Sequence, residues 1–326
     1  MMTEHRITYR EAINEAIREE MARDEKIFVL GEDIAKFGDV FGTTRGLYRE
    51  FGEERVRDTP VSETAIISFA LGAAMVGLKP IADIQRIDWM TVCVDEIVNQ
   101  VAKMHYLTAG RCEISIVIKT CVEEWGGLGA QHTQSFESWY THVPGLTVVM
   151  PSNPYDAKGL MKAAIRDPNP VLFFEPYMLY GSSGLVPHED YTVPIGKAAV
   201  TREGNDVTVV AWGTMVPKVL RAAKTLEDEG IQVEIIDPRS LYPLDIDTIL
   251  NSVRKTGRLV IAHQAVRYCG VGAEIAAQVQ EHAFDHLDAP IQRVATPHVI
   301  IPVNRTLEQS LFPQEEQVIQ AVKRIM

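Results

Sequence analysis

Glu63 closes the stretch Arg57-Asp58-Thr59-Pro60-Val61-Ser62-Glu63 and stands at the mouth of an apolar run, Ala65-Ile66-Ile67-Ser68-Phe69-Ala70. A carboxylate walled by apolar side chains holds its proton more tightly, so it can share one with a ligand near neutral pH. Its plainest alternative is a first-turn acid facing the helix dipole. Trp89 offers an aromatic plate for stacking on a flat ring, or is simply a core or interface aromatic. His132 follows Gly126-Gly127-Leu128-Gly129-Ala130, whose glycines permit close approach of backbone to a ligand. An imidazole there can give and take a proton beside a reacting carbonyl, or serve as an ordinary surface or capping residue. The surroundings of Glu63 and His132 fit neither a protease triad nor a metal site.

These residues need elements to hold them. Thr8-Tyr9-Arg10-Glu11 has the form of a capping box and opens a helix with Ala12, Ile13, Ala16, Ile17 and Met21 on its apolar face. Ile27-Phe28-Val29-Leu30, ending at Gly31, predicts a buried strand. Glu63 to Val76, rich in Ala, Ile and Leu and stopped by Gly77, predicts a largely buried helix. Pro80 to Ile84 predicts a strand with Trp89 beyond its end, and Val94 to Leu107 a helix with Ile97, Val98, Val101, Ala102 and Met104 inside. Further strands are expected at 114–118, 146–150 and 171–174. Asn153-Pro154 starts another helix, Asn as cap and Pro in the first turn. Continuously apolar strands alternating with helices indicate parallel sheets covered on both faces. The turn-rich stretch from Tyr180 to Pro194 divides the chain into domains at 1–185 and 195–326. Beyond it strands are expected at 207–212, 233–236 and 259–262, helices at 216–229 and 272–284, and a last helix after Pro313. The fold class is α/β, with two parallel-sheet, three-layer domains.

At 326 residues the chain is long enough for about two domains. A formal charge of −12 without a basic block argues against a nucleic-acid partner. No run of about 18 apolar residues is present, so no membrane-spanning helix is expected. The stretch Met1-Met2-Thr3-Glu4-His5-Arg6 is polar and lacks an apolar signal core. Cys93, Cys112, Cys121 and Cys269 show no CxxC spacing, and three of them lie in apolar or strand-like stretches that suggest buried thiols. A cytoplasmic protein is expected.

A series of short stretches stands in one order along nearly the whole chain. They are Val29-Leu30-Gly31-Glu32-Asp33, Arg57 to Glu63, Asp95-Glu96-Ile97-Val98-Asn99, Gln131 to Ser135, and His142-Val143-Pro144-Gly145-Leu146. Asp156-Ala157-Lys158-Gly159-Leu160, Arg166-Asp167-Pro168-Asn169-Pro170, Asp237-Pro238-Arg239-Ser240-Leu241 and Gly272-Ala273-Glu274-Ile275 follow. Each is weak singly, but together they resemble the β subunit of the thiamine-diphosphate-dependent decarboxylase component of 2-oxoacid dehydrogenases. That group covers pyruvate, branched-chain and acetoin enzymes in the transketolase-like superfamily. The resemblance implies a pyrimidine-binding first domain and a transketolase C-terminal-like second domain. It implies that Glu63 bonds N1′ of the aminopyrimidine, favouring the imino tautomer whose exocyclic nitrogen takes the thiazolium C2 proton. Trp89 becomes the stacking aromatic, Glu32 a second cofactor-side acid, and His132 the active-site histidine. Ile116, Ala164, Ile165, Asp167 and Asn169 match positions that hold a structural potassium ion, mostly through backbone oxygens. The cofactor's pyrophosphate and Mg2+ need an oxygen cage. Gly38-Asp39-Val40 is the nearest candidate but lacks the third glycine and the downstream asparagines. By the resemblance that cage belongs to an α subunit in an α2β2 heterotetramer. The acyl unit of a 2-oxoacid then passes to lipoamide on an acyltransferase core.

Four places depart from the pattern. Arg86 stands where relatives carry Phe or Thr, and Cys121, Glu123 and Glu124 replace a Pro- and Gly-rich stretch. Gln264 follows His263 where an acid is common. His298 stands where relatives often have an aspartate that helps dock the acyltransferase. Arg86 either pairs with Glu123 or Glu124, or offers its fork to a carboxylate or phosphate of the substrate. The second case admits an alternative activity, transfer of a two-carbon or acyl unit from a 2-oxoacid or ketose to a carrier protein or another acceptor in specialised metabolism. A noncatalytic partner role is countered by the presence of Glu63 and His132.

Overall fold

The computed structural model describes residues 4–123 and 125–326, so Met1, Met2, Thr3 and Glu124 lie outside the described residues. Two compact units divide the chain: residues up to Val122 with Trp139–Ile195, and Glu123–Ser138 with Gly196–Met326.

In the first unit β1 (Glu4–Thr8) precedes β2 (Ile27–Gly31), β3 (Val56–Asp58), β4 (Lys79–Arg86), β5 (Val117–Val122), β6 (Thr147–Val149) and β7 (Val171–Pro176). The last six run in the order β6-β7-β5-β4-β2-β3, every neighbouring pair parallel. β1 pairs antiparallel with β8 (Ser183–Pro187). β2, β5 and β7 are buried along their whole length, as a parallel sheet with both faces covered requires.

Helix α1 (Tyr9–Arg23) starts at the expected capping box, with Thr8 as cap and its N–H donated to the Glu11 carboxylate at 2.7 Å. Helices α2 (Leu47–Phe51), α3 (Glu63–Met75), α4 (Ala102–Leu107) and α5 (Glu137–Thr141) follow. Helix α6 (Pro154–Arg166) opens as expected, Asn153 accepting from the Asp156 N–H at 2.9 Å. Ile13 and Ile17 of α1 and Leu160 and Met161 of α6 share one core cluster with Val29, Val117 and Phe173 of the sheet.

Some elements differ in detail from expectation, and the strand expected at 114–118 lies further on, as β5 at Val117–Val122. Helix α3 buries Ile66, Ile67, Ala70, Leu71 and Ala74, but Phe69 is 55% exposed and Val76, just past its end, is 79% exposed. Its apolar composition serves two faces, and only one packs on its own core. The helix expected at 94–107 spans that range without a break, but its middle, Glu96–Val101, is π-helical before α4 follows. Such wide turns change the direction in which successive side chains point.

The second unit carries β9 (Ala199–Arg202), β10 (Val207–Ala211), β11 (Val233–Asp237), β12 (Ser240–Tyr242), β13 (Leu259–Val266) and β14 (Gln292–Thr296). Its sheet runs β14-β13-β10-β11-β9, parallel except for the antiparallel edge strand β9. Helix α7 (Met215–Glu227) packs over one face: Val219 and Leu226 join Val209, Ile235 and Val260. On the other side of β10, Thr208 bonds Ser252 and Thr256 of α8 (Ile246–Thr256) at 2.6 and 2.7 Å. Helices α9 (Val271–Ala283), α10 (Arg305–Leu311) and α11 (Glu315–Lys323) complete the unit, and Val318 and Val322 of α11 enter the same core as α7.

Candidate active site

Four of the singled-out residues stand at the carboxyl ends of three adjacent strands. Glu32 follows β2, Glu63 opens α3 after β3, Arg86 ends β4, and Trp89 begins the turn beyond it. β2 lies between β3 and β4, so the chain leaves it to either side. Crevices at such reversals are where open α/β sheets bind ligands.

The acids there converge. The Glu32 carboxyl is pushed above its ordinary value, first by burial and then by the charges of Asp33 and Glu63. The Cys93 thiol is pushed up to about 12 by burial, with Glu96 and Glu63 adding to it. The charge of Glu63 is thus felt both at Glu32 and at Cys93. Gln85 donates from Nε2 to the Glu32 carbonyl at 3.2 Å, and Thr64 from its hydroxyl to the Val92 carbonyl at 3.3 Å. Glu96 Oε2 and Thr59 Oγ1 are closed off from solvent without a hydrogen-bond partner among the described residues. Unsatisfied polar atoms at the strand ends suit a ring bearing both donors and acceptors. The apolar wall expected beside Glu63 is half built by its own unit, with Ile66 and Ile67 buried and Ala65 and Phe69 exposed.

Trp89 and Arg86 are both half-buried. The Arg86 guanidinium lies 5.1 Å from the Trp89 ring centre and 5.3 Å from that of Phe41. Two aromatic rings therefore favour a cation at this spot. Of the anions expected for it, Glu123 accepts the Thr214 N–H at 2.8 Å within the second unit, and Glu124 lies outside the described residues.

Asp39, the nearest candidate for a pyrophosphate cage, is buried and committed to its own loop. Its carboxylate accepts the Phe41 and Gly42 N–H groups at 2.5 Å, the Thr44 N–H at 3.0 Å, and the Thr43 hydroxyl. Beneath it Lys119 lies 2.7 Å from Asp83, 3.5 Å from Glu175 and 4.0 Å from Asp39. Burial pushes Asp83 up to about 7 and raises Glu175. Sequence reasoning missed this group and Glu96. The available signal was a charge inside an otherwise apolar strand, as in Val117-Ile118-Lys119-Thr120.

The five positions assigned to potassium are gathered where α6 ends and β5 begins. Ile116 O accepts the Val171 N–H at 2.9 Å, and Ala164 O the Asp167 N–H at 3.3 Å. Asp167 O accepts from the Ser115 hydroxyl at 2.8 Å, and Asp167 Oδ1 takes the backbone and side-chain N–H groups of Asn169 at 2.8 and 3.0 Å. Ile165 lies between them in the last turn of α6. A helix C-terminus favours a cation, and each carbonyl keeps a second lone pair. Among the described residues, no group of three or more His, Cys, Asp or Glu side chains is placed to hold a metal.

His132 is half-buried in the 123–138 segment of the second unit, so the structure assigns it to a different unit from Glu63. Buried acids hold that segment at each end. Glu123 bonds Thr214, while Glu137 accepts from the Ser135 hydroxyl at 2.7 Å and from Trp212 Nε1 at 3.4 Å. Burial raises both, Glu123 to about 8. Trp212 stacks on buried His263 at 4.8 Å, and burial holds that imidazole down to about 3. Gln264 Oε1 accepts from the Thr214 hydroxyl at 2.9 Å, while His298 stacks on exposed Tyr268 at 5.5 Å. Cys93 and Cys121 are buried as expected, Cys112 is half-buried and Cys269 exposed.

Residues 5–182 match the transketolase pyrimidine-binding domain and residues 196–318 the transketolase C-terminal domain. The chain is 46% identical to the acetoin:2,6-dichlorophenolindophenol oxidoreductase subunit beta of Cupriavidus necator, over 97% of this chain and 96% of that one. It is 43% identical to the pyruvate dehydrogenase E1 component subunit beta of Rhizobium meliloti, over 98% of this chain and 70% of that one. Among solved structures, a split-gene transketolase described as an inactive beta4 tetramer superposes with a TM-score of 0.80 at 26% identity, covering 98% of each chain. A pyrimidine-binding domain followed by a transketolase C-terminal domain defines the transketolase-like class. Within it this chain belongs to the family of acetoin and pyruvate dehydrogenase E1 beta subunits, a family that implies thiamine diphosphate as cofactor.

Proposed function

We propose that the chain is the β subunit of a thiamine-diphosphate-dependent 2-oxoacid dehydrogenase, acting on a pyruvate-like, branched-chain or acetoin-type donor and passing the acyl unit to lipoamide. The observation that carries this reading is the gathering of Glu32, Glu63 and Trp89 at the carboxyl ends of three adjacent strands of a pyrimidine-binding domain. When bound, the cofactor supplies a carbon nucleophile and an electron sink for loss of CO2. Glu63 holds a proton at N1′ of the aminopyrimidine, and Glu32 is the second acid on that side. Trp89 stacks on the pyrimidine ring. His132 gives and takes the proton at the reacting carbonyl oxygen, and Arg86 receives an anionic group of the donor or acceptor. The pyrophosphate and Mg2+ fall to an α subunit in an α2β2 heterotetramer, a reading supported by the commitment of Asp39 to its own loop. The oxygens around Ile116, Ala164, Ile165, Asp167 and Asn169 would hold K+. The pyrimidine-binding domain is taken as 1–185 and the C-terminal domain as 195–326. The protein is read as cytoplasmic, and among the described residues no helix is long and apolar enough to cross a membrane. The relatives are named as acetoin oxidoreductase and pyruvate dehydrogenase subunits, which favours this reading over transfer to a carrier protein.

Glu63→Gln, assayed in the assembled enzyme, tests the reading. An amide cannot share the N1′ proton as a carboxylate does. Turnover should fall by several orders of magnitude while the fold and assembly persist. A loss below about tenfold, roughly 1.4 kcal/mol of barrier, would remove Glu63 from this role.

A further inference from the structure

Glu308 of α10 is fully buried and carries a carboxylate that the chemistry above does not use. Its Oε2 accepts the N–H groups of both Gly126 and Gly127 at 2.9 Å. Successive amides of this kind form a concave anion site, and a carboxylate filling it makes two charge-assisted bonds. Arg305, on the same helix, donates from Nε to the Gly126 carbonyl at 2.8 Å. The packing behind these bonds leaves no slack. A Cβ on Gly127 would come within 2.9 Å of the Val303 carbonyl, and one on Gly129 within 2.7 Å of Val303 Cγ2. The Gly129 carbonyl in turn accepts the Thr133 hydroxyl at 2.7 Å and the His132 N–H at 3.4 Å. A continuous path of hydrogen bonds and close contacts thus joins α10 to the backbone of His132.

We infer that Glu308 is a positioning residue for His132, holding the glycine loop so that the imidazole keeps one place throughout the reaction. The inference rests on the reading of His132 as the proton-transfer group. Displacing a reacting group by about 1 Å costs on the order of 100-fold in rate, so a loosened loop should be felt chiefly in turnover. A carboxylate that served only the stability of the loop would act equally whether or not an imidazole were present.

The test is a double-mutant cycle on the holoenzyme assembled with its partner chain: wild type, Glu308→Ala, His132→Ala and the pair. His132→Ala should lower kcat by about 100-fold or more. Glu308→Ala should lower kcat by about 10- to 100-fold with KM for the 2-oxoacid little changed. The pair should be no slower than His132→Ala alone, because no imidazole is left to misplace. Losses that multiply would overturn the inference and leave the reading of His132 standing. A His132→Ala enzyme within about threefold of wild type would overturn that reading, and the inference with it. Glu308→Gln keeps an acceptor oxygen for both amides and should recover most of the turnover lost in Glu308→Ala. A glutamine variant as slow as the alanine one would also count against positioning. Should Glu308→Ala fail to assemble, Glu308→Asp, too short to reach both amides, takes its place in the cycle.

Discussion

Arg86 is a cation held over two aromatic faces at the mouth of the strand ends. Bidentate recognition of a carboxylate or phosphate is the chemistry a guanidinium does best. Arg86→Phe removes the fork and keeps an aromatic-lined surface. If Arg86 receives substrate, KM for donors with an anionic tail should rise by about tenfold or more, while small neutral-tailed 2-oxoacids are little affected. Steady-state kinetics across a donor series measures this. A flat profile with normal turnover would mean that Arg86 serves the fold alone. At this scale Glu32 and Glu63 were singled out through recognisable stretches, and Trp89 as an aromatic just past a strand end. Glu96 was quoted only as part of a stretch. Its carboxylate, three residues after Cys93, adds to the upward push on that thiol, and its Oε2 is closed off from solvent.

The elements carry a second lesson in the 123–138 segment. Its glycines and His132 were legible, but its attachment was not, because both of its anchoring acids bond to residues far along the chain, Thr214 and Trp212. Glu123 also has a testable pH signature. Folding raises its carboxyl from 4.5 to about 8, chiefly by burial. Between those values the folded chain keeps a proton that the unfolded chain releases, so stability falls as pH rises through that window. Glu123→Gln never ionises and still accepts from the Thr214 N–H. Its melting temperature relative to wild type should therefore be higher at about pH 9 than at about pH 5. Thermal unfolding at the two pH values decides it, and an unchanged difference would show that folding does not perturb Glu123. Helix α3 makes the complementary point. Apolar composition along Glu63–Met75 announced burial, yet Phe69 lies open on the face that its own unit does not cover.

For the whole molecule, the proposed reading makes the chain half of a site. Val61, Phe69, Val76 and Val92 are all more than half exposed in the first unit, a concentration of apolar surface that a partner would remove from water. On that reading the chain would contribute the pyrimidine side without the Mg2+-pyrophosphate cage, so alone it should neither bind thiamine diphosphate tightly nor turn over. Calorimetry on the purified chain is the measurement. Micromolar, Mg2+-dependent binding without a partner would contradict the half-site reading, and a companion chain bearing the cage should restore both binding and turnover.

The sequence by itself determined the alternation of strands and helices, the helix starts at Thr8 and Asn153, and, through the order of its short stretches, the family. Caps and periodicity are local, and a family pattern survives as a linear order, so a single chain read end to end displays them. Only the tertiary structure decided that Glu32 and Glu63 follow neighbouring strands, that the Asp39 carboxylate is used up by its own loop, and that the His132 segment belongs with the second unit. The first and the last depend on contacts between residues distant in the chain, and the second on a turn geometry that residue types alone do not fix. Glu308 lies 182 positions from Gly126, and nothing local to either residue foretells their hydrogen bond.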